Sequence, residues 1–198
     1  EIGSGLVGSE MCIRDRCHKR LPMKLLPYLP LLILLLVPGT VHAAMEGEHL
    51  ETHTEFVARK GYPESMEQWS DRHLLKAVDA RVLHVVIYLG SQRGRLYANE
   101  QVVMDFPVCT GDRDHPTPAG TFTVLEKDKD HYSDLYGLAM PCFMRLTRDG
   151  IGLHAGPVFR TPQSHGCIRM TRESCAALFN KIRIGTPVRI VAECVMKH

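Results

Sequence analysis

Arg81-Val82-Leu83-His84-Val85-Val86-Ile87-Tyr88-Leu89 is the stretch at which the chain changes character. It is β-branched and apolar with little polar relief, and Gly90 to Gly94 follows it with turn residues, so it reads as a strand entering a turn. Strand patterns continue through Arg95 to Ala98 and Gln101 to Val108, and then through Thr121 to Glu126, where alternation predicts one buried face. Phe143 to Leu146 and Ile151 to His154 flank a turn at Asp149-Gly150, and Pro187 to Val191 closes with a last strand. One segment has good helical character: Arg172 to Ile182, with Thr171 as N-cap and Ala176, Leu178, Phe179 and Ile182 expected inward. Many short strands and one or two short helices predict a mostly β, single β-rich sandwich or barrel-like domain over residues 79–198.

Upstream, residues 44–78 are polar and rich in Glu and His, with a helix expected between Glu64 and Ala77; the region reads as a linker and helical lead-in. Met23-Lys24, the apolar run Leu25 to Val37 and the small-residue exit Val41-His42-Ala43 describe a secretory signal peptide over 23–43. The run is shorter than the roughly 20 residues that a membrane span needs. Residues 1–22 read as a non-native leader. Export to the periplasm or cell envelope is therefore expected. The first 44 residues carry five Lys/Arg and three Asp/Glu, so the remainder balances at 19 of each (24 − 5 and 22 − 3). Near-neutral charge with no dense basic stretch argues against a nucleic-acid partner.

Five cysteines follow the leader: Cys109, Cys142, Cys167, Cys175 and Cys194. An odd count in an exported chain leaves at least one free thiol. Two disulfides among Cys109, Cys142, Cys175 and Cys194 are possible, but each lies in an apolar setting that suits a small buried hydrophobe better.

The chemistry concentrates in Ser164-His165-Gly166-Cys167-Ile168-Arg169-Met170 and the nearby Ile151-Gly152-Leu153-His154-Ala155-Gly156. A cysteine reacts as its thiolate and needs a neighbouring base. Cys167 is the candidate nucleophile, and His154, ending a strand, the candidate base. Gly166 permits a sharp turn that leaves the amides of Gly166 and Cys167 free to face an oxyanion. His165 supports the thiolate, lends its backbone amide to the oxyanion hole beside Gly166 and Cys167, or packs the loop. Ser164 is expected to order the turn and border the substrate, and Gly156 to allow close approach beside the base. Arg169 suits a substrate carboxylate through two parallel hydrogen bonds. Tyr136 is a candidate for the cleft wall, together with Tyr132 and Met140. Other residues read as background: His84 as half-buried structure, His115 and His131 as solvated, and Lys127 to Asp130 as an exposed turn.

The two motifs resemble the signatures of the L,D-transpeptidase catalytic-domain family (YkuD-like). His115-Pro116-Thr117-Pro118-Ala119-Gly120-Thr121-Phe122 is similar to a third family stretch, Thr-Pro-x-Gly-x-Phe. The resemblance spans about Ala80 to Ala192 and implies a β-rich fold, with the base role on His154 and Arg or Asn permitted at position 169. It also implies no cofactor and acylation by carbapenems. The implied activity is attack of Cys167 on the third residue of a peptidoglycan stem tetrapeptide, giving a thioester. That thioester would pass to the amine of another stem or to a wall-attached protein acceptor. Two alternatives stay open at this point: water as acceptor, which makes an L,D-carboxypeptidase or an enzyme that cuts a protein from the wall, and a metal- or wall-binding module in which Cys167, His154 and His165 hold zinc. The latter lacks the usual short ligand spacing. Oligomeric state is open, with a monomer the simpler expectation.

Overall fold

The computed structural model describes residues 50–192. The expected signal segment, the leader 1–22 and Cys194 lie outside them. In chain order the elements are α1 His53–Val57, β1 Trp69–Ser70, α2 Arg72–Ala77, a single 3-10 turn at Ala80–Val82, β2 Leu83–Tyr88, β3 Arg93–Ala98, β4 Gln101–Cys109, β5 Gly120–Thr123 and β6 Glu126–Asp128. There follow β7 Tyr132–Ser133, β8 Leu138–Ala139, β9 Phe143–Arg145, β10 Gly152–Ala155, β11 Ile168–Met170, α3 Arg172–Lys181 and β12 Pro187–Val191. Ten strands form one mixed sheet in the order β5-β12-β2-β3-β4-β11-β10-β9-β6, with β1 added to β4, and β7–β8 is a separate hairpin. The mostly β expectation holds. No helix among the described residues is long and apolar enough to cross a membrane.

β4 is the hinge of this sheet. Gln101 to Pro107 run along β3, and its last residues, Val108 and Cys109, pair with Met170 and Arg169 of β11. It can serve both halves because almost every side chain after Val102 is buried, as a strand covered on two faces requires. Val85, Ile87, Leu96, Phe106, Val108, Leu153, Ile168, Met170, Val188 and Ile190 make the core, and α3 closes it with Cys175, Leu178 and Ile182. Thr171 caps α3 as expected, accepting from the Ser174 amide at 3.2 Å. The inward face is set differently from the expectation: Ser174 and Cys175 are buried, and Ala176 is not.

Three local expectations are corrected. The helix expected within Glu64–Ala77 is only Arg72–Ala77, because Trp69 and Ser70 pair with Asp105 and Met104 of β4. Lys127 is not in an exposed turn; it lies in β6, and its Nζ donates to the carbonyls of Phe179 and Ile182 at the end of α3. His131 is half-buried, stacked on Phe143 with centroids 4.3 Å apart, and its Nδ1 meets Asp128 at 3.1 Å. His84 fits its structural reading, stacked on Tyr97. Cys109, Cys142, Cys167 and Cys175 are all free thiols.

The described part of the segment expected as linker and lead-in is docked on the outer face through one carboxylate. Asp105, with no exposed surface, accepts from Arg93 Nε and Nη2 (2.8 and 2.6 Å), Arg95 Nε (2.9 Å) and the Tyr62 hydroxyl (3.0 Å), and pairs with His53 Nε2 at 2.9 Å. Burial alone would raise its pKa, but the His53 hydrogen bond and the Arg93 and Arg95 charges win and hold it below the usual carboxylate range. Arg93 Nη1 donates in turn to the carbonyls of Ser65 and Glu67, and its guanidinium lies over the rings of Phe56 and Tyr62. Removing one partner of a buried ion pair strands the other charge, at a cost of about 3–5 kcal/mol. Asp105→Ala should therefore lose about that much stability in urea denaturation, and should expose the 50–70 segment to limited proteolysis before the sheet unfolds.

Candidate active site

The catalytic candidates meet because β10 and β11 run parallel, with His154 paired to Arg169, Leu153 to Ile168 and Ala155 to Met170. Paired residues point to the same face, and alternate residues along a strand do too. His154 and Arg169 therefore share one face, and Cys167 sits one step before β11. All three line one cavity of about 450 Å³, together with Gly156, Ser164, His165, Tyr136 and Met140 among others. Tyr132, expected beside Tyr136, is not part of that lining.

His154 is buried, and its Nδ1 lies 3.0 Å from the Ala155 carbonyl oxygen. A carbonyl only accepts, so Nδ1 carries the proton and Nε2 keeps its lone pair. Burial pulls the imidazole pKa down to about 4, against the Ala155 hydrogen bond and with help from the Arg169 and His131 charges. His154 is thus neutral at pH 7, as a base must be. Burial pushes the Cys167 thiol up, while the Gly152 amide, Arg145 and Arg169 pull the other way. Its Sγ–H donates to the Gly150 carbonyl at 3.7 Å. The resting pair is accordingly a neutral thiol and a neutral imidazole.

The loop carrying Cys167 is pinned by two hydroxyls. Ser164 Oγ donates to the Cys167 carbonyl and accepts from the Gly166 amide at 3.2 Å. Thr117 Oγ1 accepts from the Gly111 amide at 2.8 Å and donates to the Gly166 carbonyl at 2.7 Å. This corrects the expectation that both amides face an oxyanion: the Gly166 N–H is occupied by Ser164. With the Gly166 carbonyl held by Thr117, the trans peptide turns the Cys167 N–H the opposite way. Gly166 has φ +104°, which a side chain would strain. A β-carbon at Gly152 would lie 2.6 Å from the Met144 carbonyl oxygen, so only glycine lets β10 pass there.

Arg169 projects beside His154 in the space left by Gly156, where a β-carbon would stand 3.1 Å from the Arg169 stem. Its Nη2 donates to Cys109 Sγ at 3.4 Å and its guanidinium faces the Phe159 ring at 5.7 Å. Arg169 Nε is buried with no hydrogen-bond partner among the described residues. His165 is exposed, and its ring lies 4.5 Å from His115 and 5.5 Å from Tyr136. His115 is likewise exposed and bonded to Asp112. No group of three His, Cys, Asp or Glu side chains among the described residues is arranged to hold a metal, so Cys167, His154 and His165 are not gathered as a ligand set.

A family model described as YkuD, L,D-transpeptidase catalytic domain, matches residues 83–190, more than half of the chain. The chain belongs to this family. Among curated proteins it is similar to the probable L,D-transpeptidase 3 of Mycobacterium tuberculosis, 31% identical over 112 residues, covering 48% of this chain and 40% of that protein. L,D-transpeptidase 1 of the same organism is 27% identical over 110 residues, covering 47% and 44%. The match thus spans less than half the length of these relatives. Of solved structures, an L,D-transpeptidase from Mycobacterium smegmatis superposes with TM-score 0.54 at 23% identity, covering 56% of this chain and 59% of that one. An L,D-transpeptidase in complex with imipenem gives 0.54 at 24%, with the same coverage. At such identities these structures speak to the fold, which they share with this chain.

Sequence reading missed the role of Thr117, although the residue sits in the third motif; the hydroxyl's two partners are 6 and 49 positions away. Thr117→Val should leave buried groups unpartnered, costing about 1–3 kcal/mol of stability. It should also slow acylation of Cys167 by a β-lactam at least tenfold while iodoacetamide still labels the thiol, and Thr117→Ser should restore the rate. The low His154 pKa adds a second expectation. An ordinary imidazole base would lose half its rate near pH 6.5. Here the acylation rate should hold as pH falls past 6 and drop only as His154 protonates near pH 4.

Proposed function

We propose that this chain is an exported L,D-transpeptidase that works on peptidoglycan stem tetrapeptides through a Cys167 thioester. The observation that carries the reading is the parallel pairing that sets His154, Arg169 and Cys167 on one wall of a single cavity. Export is supported by the apolar run Leu25 to Val37 and its small-residue exit. His154 Nε2 takes the Cys167 proton as Sγ attacks the carbonyl of the third stem residue. The Cys167 amide, turned away from Thr117, is the candidate donor to the oxyanion. Collapse expels D-alanine, whose amine receives the proton back from His154, and leaves the thioester. An amine from another stem, or from a wall-attached protein, then attacks the thioester with His154 again as base. The orphaned Nε of Arg169 supplies a site for a substrate carboxylate, the acceptor whose geometry matches two parallel N–H donors. No step requires a cofactor.

Imipenem bound to a related enzyme suggests the test. The mature protein is mixed with a carbapenem and weighed intact, beside Cys167→Ala, and both are then given a stem tetrapeptide ending in D-alanine. One adduct and D-alanine release for the wild type, with neither for the variant, is the expected outcome. Turnover of the tetrapeptide by folded Cys167→Ala would remove the thioester mechanism. An adduct without D-alanine release would leave an activated thiol but shift the substrate away from peptidoglycan stems.

A further inference from the structure

Cys142 and Cys175 are 33 positions apart in sequence, yet the Sγ–H of Cys175 donates to the carbonyl oxygen of Cys142 at 3.7 Å. Cys175 is fully buried on the inner face of α3, whereas Cys142 is half-buried and packs against the same core cluster. Cys142 follows the turn before β9 with φ +56°, a left-handed conformation that disfavours any residue with a β-carbon. The chain thus keeps a thiol where the backbone would favour glycine, at the residue whose carbonyl the second thiol reaches. The surroundings already fasten the two elements together. The Cys142 amide donates to the Lys129 carbonyl at 2.8 Å, and Lys127, in the same stretch, holds the carbonyls of Phe179 and Ile182 on α3.

We propose that Cys142 and Cys175 form a disulfide when the protein meets an oxidising thiol–disulfide environment. Cys142, the more accessible thiol, attacks the S–S bond of an oxidant of the disulfide class, such as oxidised glutathione or a dithiol oxidase. One oxidant thiol is expelled and a mixed disulfide remains. Cys175 then attacks the Cys142 sulfur and expels the second oxidant thiol. Two protein S–H bonds are lost and one S–S bond is gained, and the two electrons end in the oxidant's two thiols. Burial and the neighbouring Cys142 push the Cys175 thiol up to about 12, so closure is the slow step and accelerates with pH.

The bridge would act next to the catalytic base. The Pro141 carbonyl accepts from the Ala155 amide at 2.9 Å, and the Ala155 carbonyl orients His154. The same turn carries Met140, which lines the cavity. A bridge from this turn to α3 fixes the strand that presents His154, and it removes two thiols that would compete with Cys167 for oxidant. The oxidising setting rests on the proposed export, but the pairing can be tested whether or not Cys167 is a nucleophile.

The reduced full chain, and Cys167→Ala beside it, are incubated with oxidised glutathione and digested with trypsin without reduction. Cys142 falls in peptide 130–145, Cys175 in 173–181 and Cys167 in 161–169. The expected product joins 130–145 to 173–181 with the loss of two hydrogens, equally in wild type and Cys167→Ala, and forms faster as pH rises. Oxidation should lift the thermal midpoint by several degrees, because the bridge constrains the unfolded chain. Cys142→Ser and Cys175→Ser should each stop the bridge while stem or carbapenem acylation of Cys167 continues. If both peptides stay separate and alkylatable in folded, oxidised wild type, or join other cysteines instead, the proposal is overturned. A bridge formed without any acylation of Cys167 would overturn the proposed transpeptidase reading alone.

Discussion

The parallel register of β10 against β11 is the constraint on which the site depends. It is not held by the candidate catalytic side chains. Leu153, Ile168 and Met170 on the opposite face have no exposed surface, and Ala155 is nearly as buried. A slip of one residue would turn that set toward the cavity and bury His154 and Arg169 in the core, so the hydrophobic effect defends the register. β4 extends the same logic. Cys109 stands opposite Arg169, so sulfur, guanidinium and imidazole lie in one row across three strands. The geometry of the candidate site is a by-product of core packing, with polar side chains occupying the one face that the core leaves free.

Burial keeps His154 a neutral imidazole and Cys167 a neutral thiol at once, since it disfavours the charged form of both. The resting site therefore holds no standing thiolate–imidazolium ion pair. The imidazole is kept neutral and in one tautomer by the Ala155 carbonyl, and the partial charges that favour the thiolate come from the Gly152 amide and from two arginines on neighbouring strands. Thr117 and Ser164 contribute no charge; they fix peptide planes. Between them they settle which amide of the Gly166–Cys167 pair faces outward, and that is a matter of backbone orientation that residue identity alone does not reveal.

Much of this was legible in the chain. The strands β2, β4, β10 and β12 announce themselves through apolar runs, and α3 through its Thr171 cap, whereas β7, β8 and β11 are too short to show a period. Cys167 and His154 stood out as candidates because their motifs, in order, resemble the signatures of the family whose model matches residues 83–190. The failures share a cause. Lys127 looked solvated because its run alternates in sign, yet the partners that bury it belong to α3, more than fifty positions later. Trp69 and Ser70 looked helical because two residues are too few to show a strand period, and their pairing with β4 is entirely tertiary. The Gly166 amide looked free because the hydroxyl that takes it depends on the loop's closed shape. Periodicity reports the local burial of an element and stays silent on partners supplied from a distance.

Two guanidiniums, Arg93 and Arg169, make the functional argument from opposite directions. Arg93 is 1% exposed, with its Nε, Nη1 and Nη2 all donating to the Asp105 carboxylate or to backbone carbonyls. That is how a guanidinium is buried when its task is to hold a segment on a sheet. Arg169 lies beside the base with only a sulfur, a weak acceptor, on Nη2 and with Nε unmatched among the described residues. A fold that satisfies one arginine so fully has the means to satisfy the other, and an unmatched donor kept beside a candidate base and nucleophile is an unfilled place for an anion. The proposed substrate carboxylate is the group that completes it, and the contrast between the two residues places that demand in the cavity and not on the outer face of the sheet.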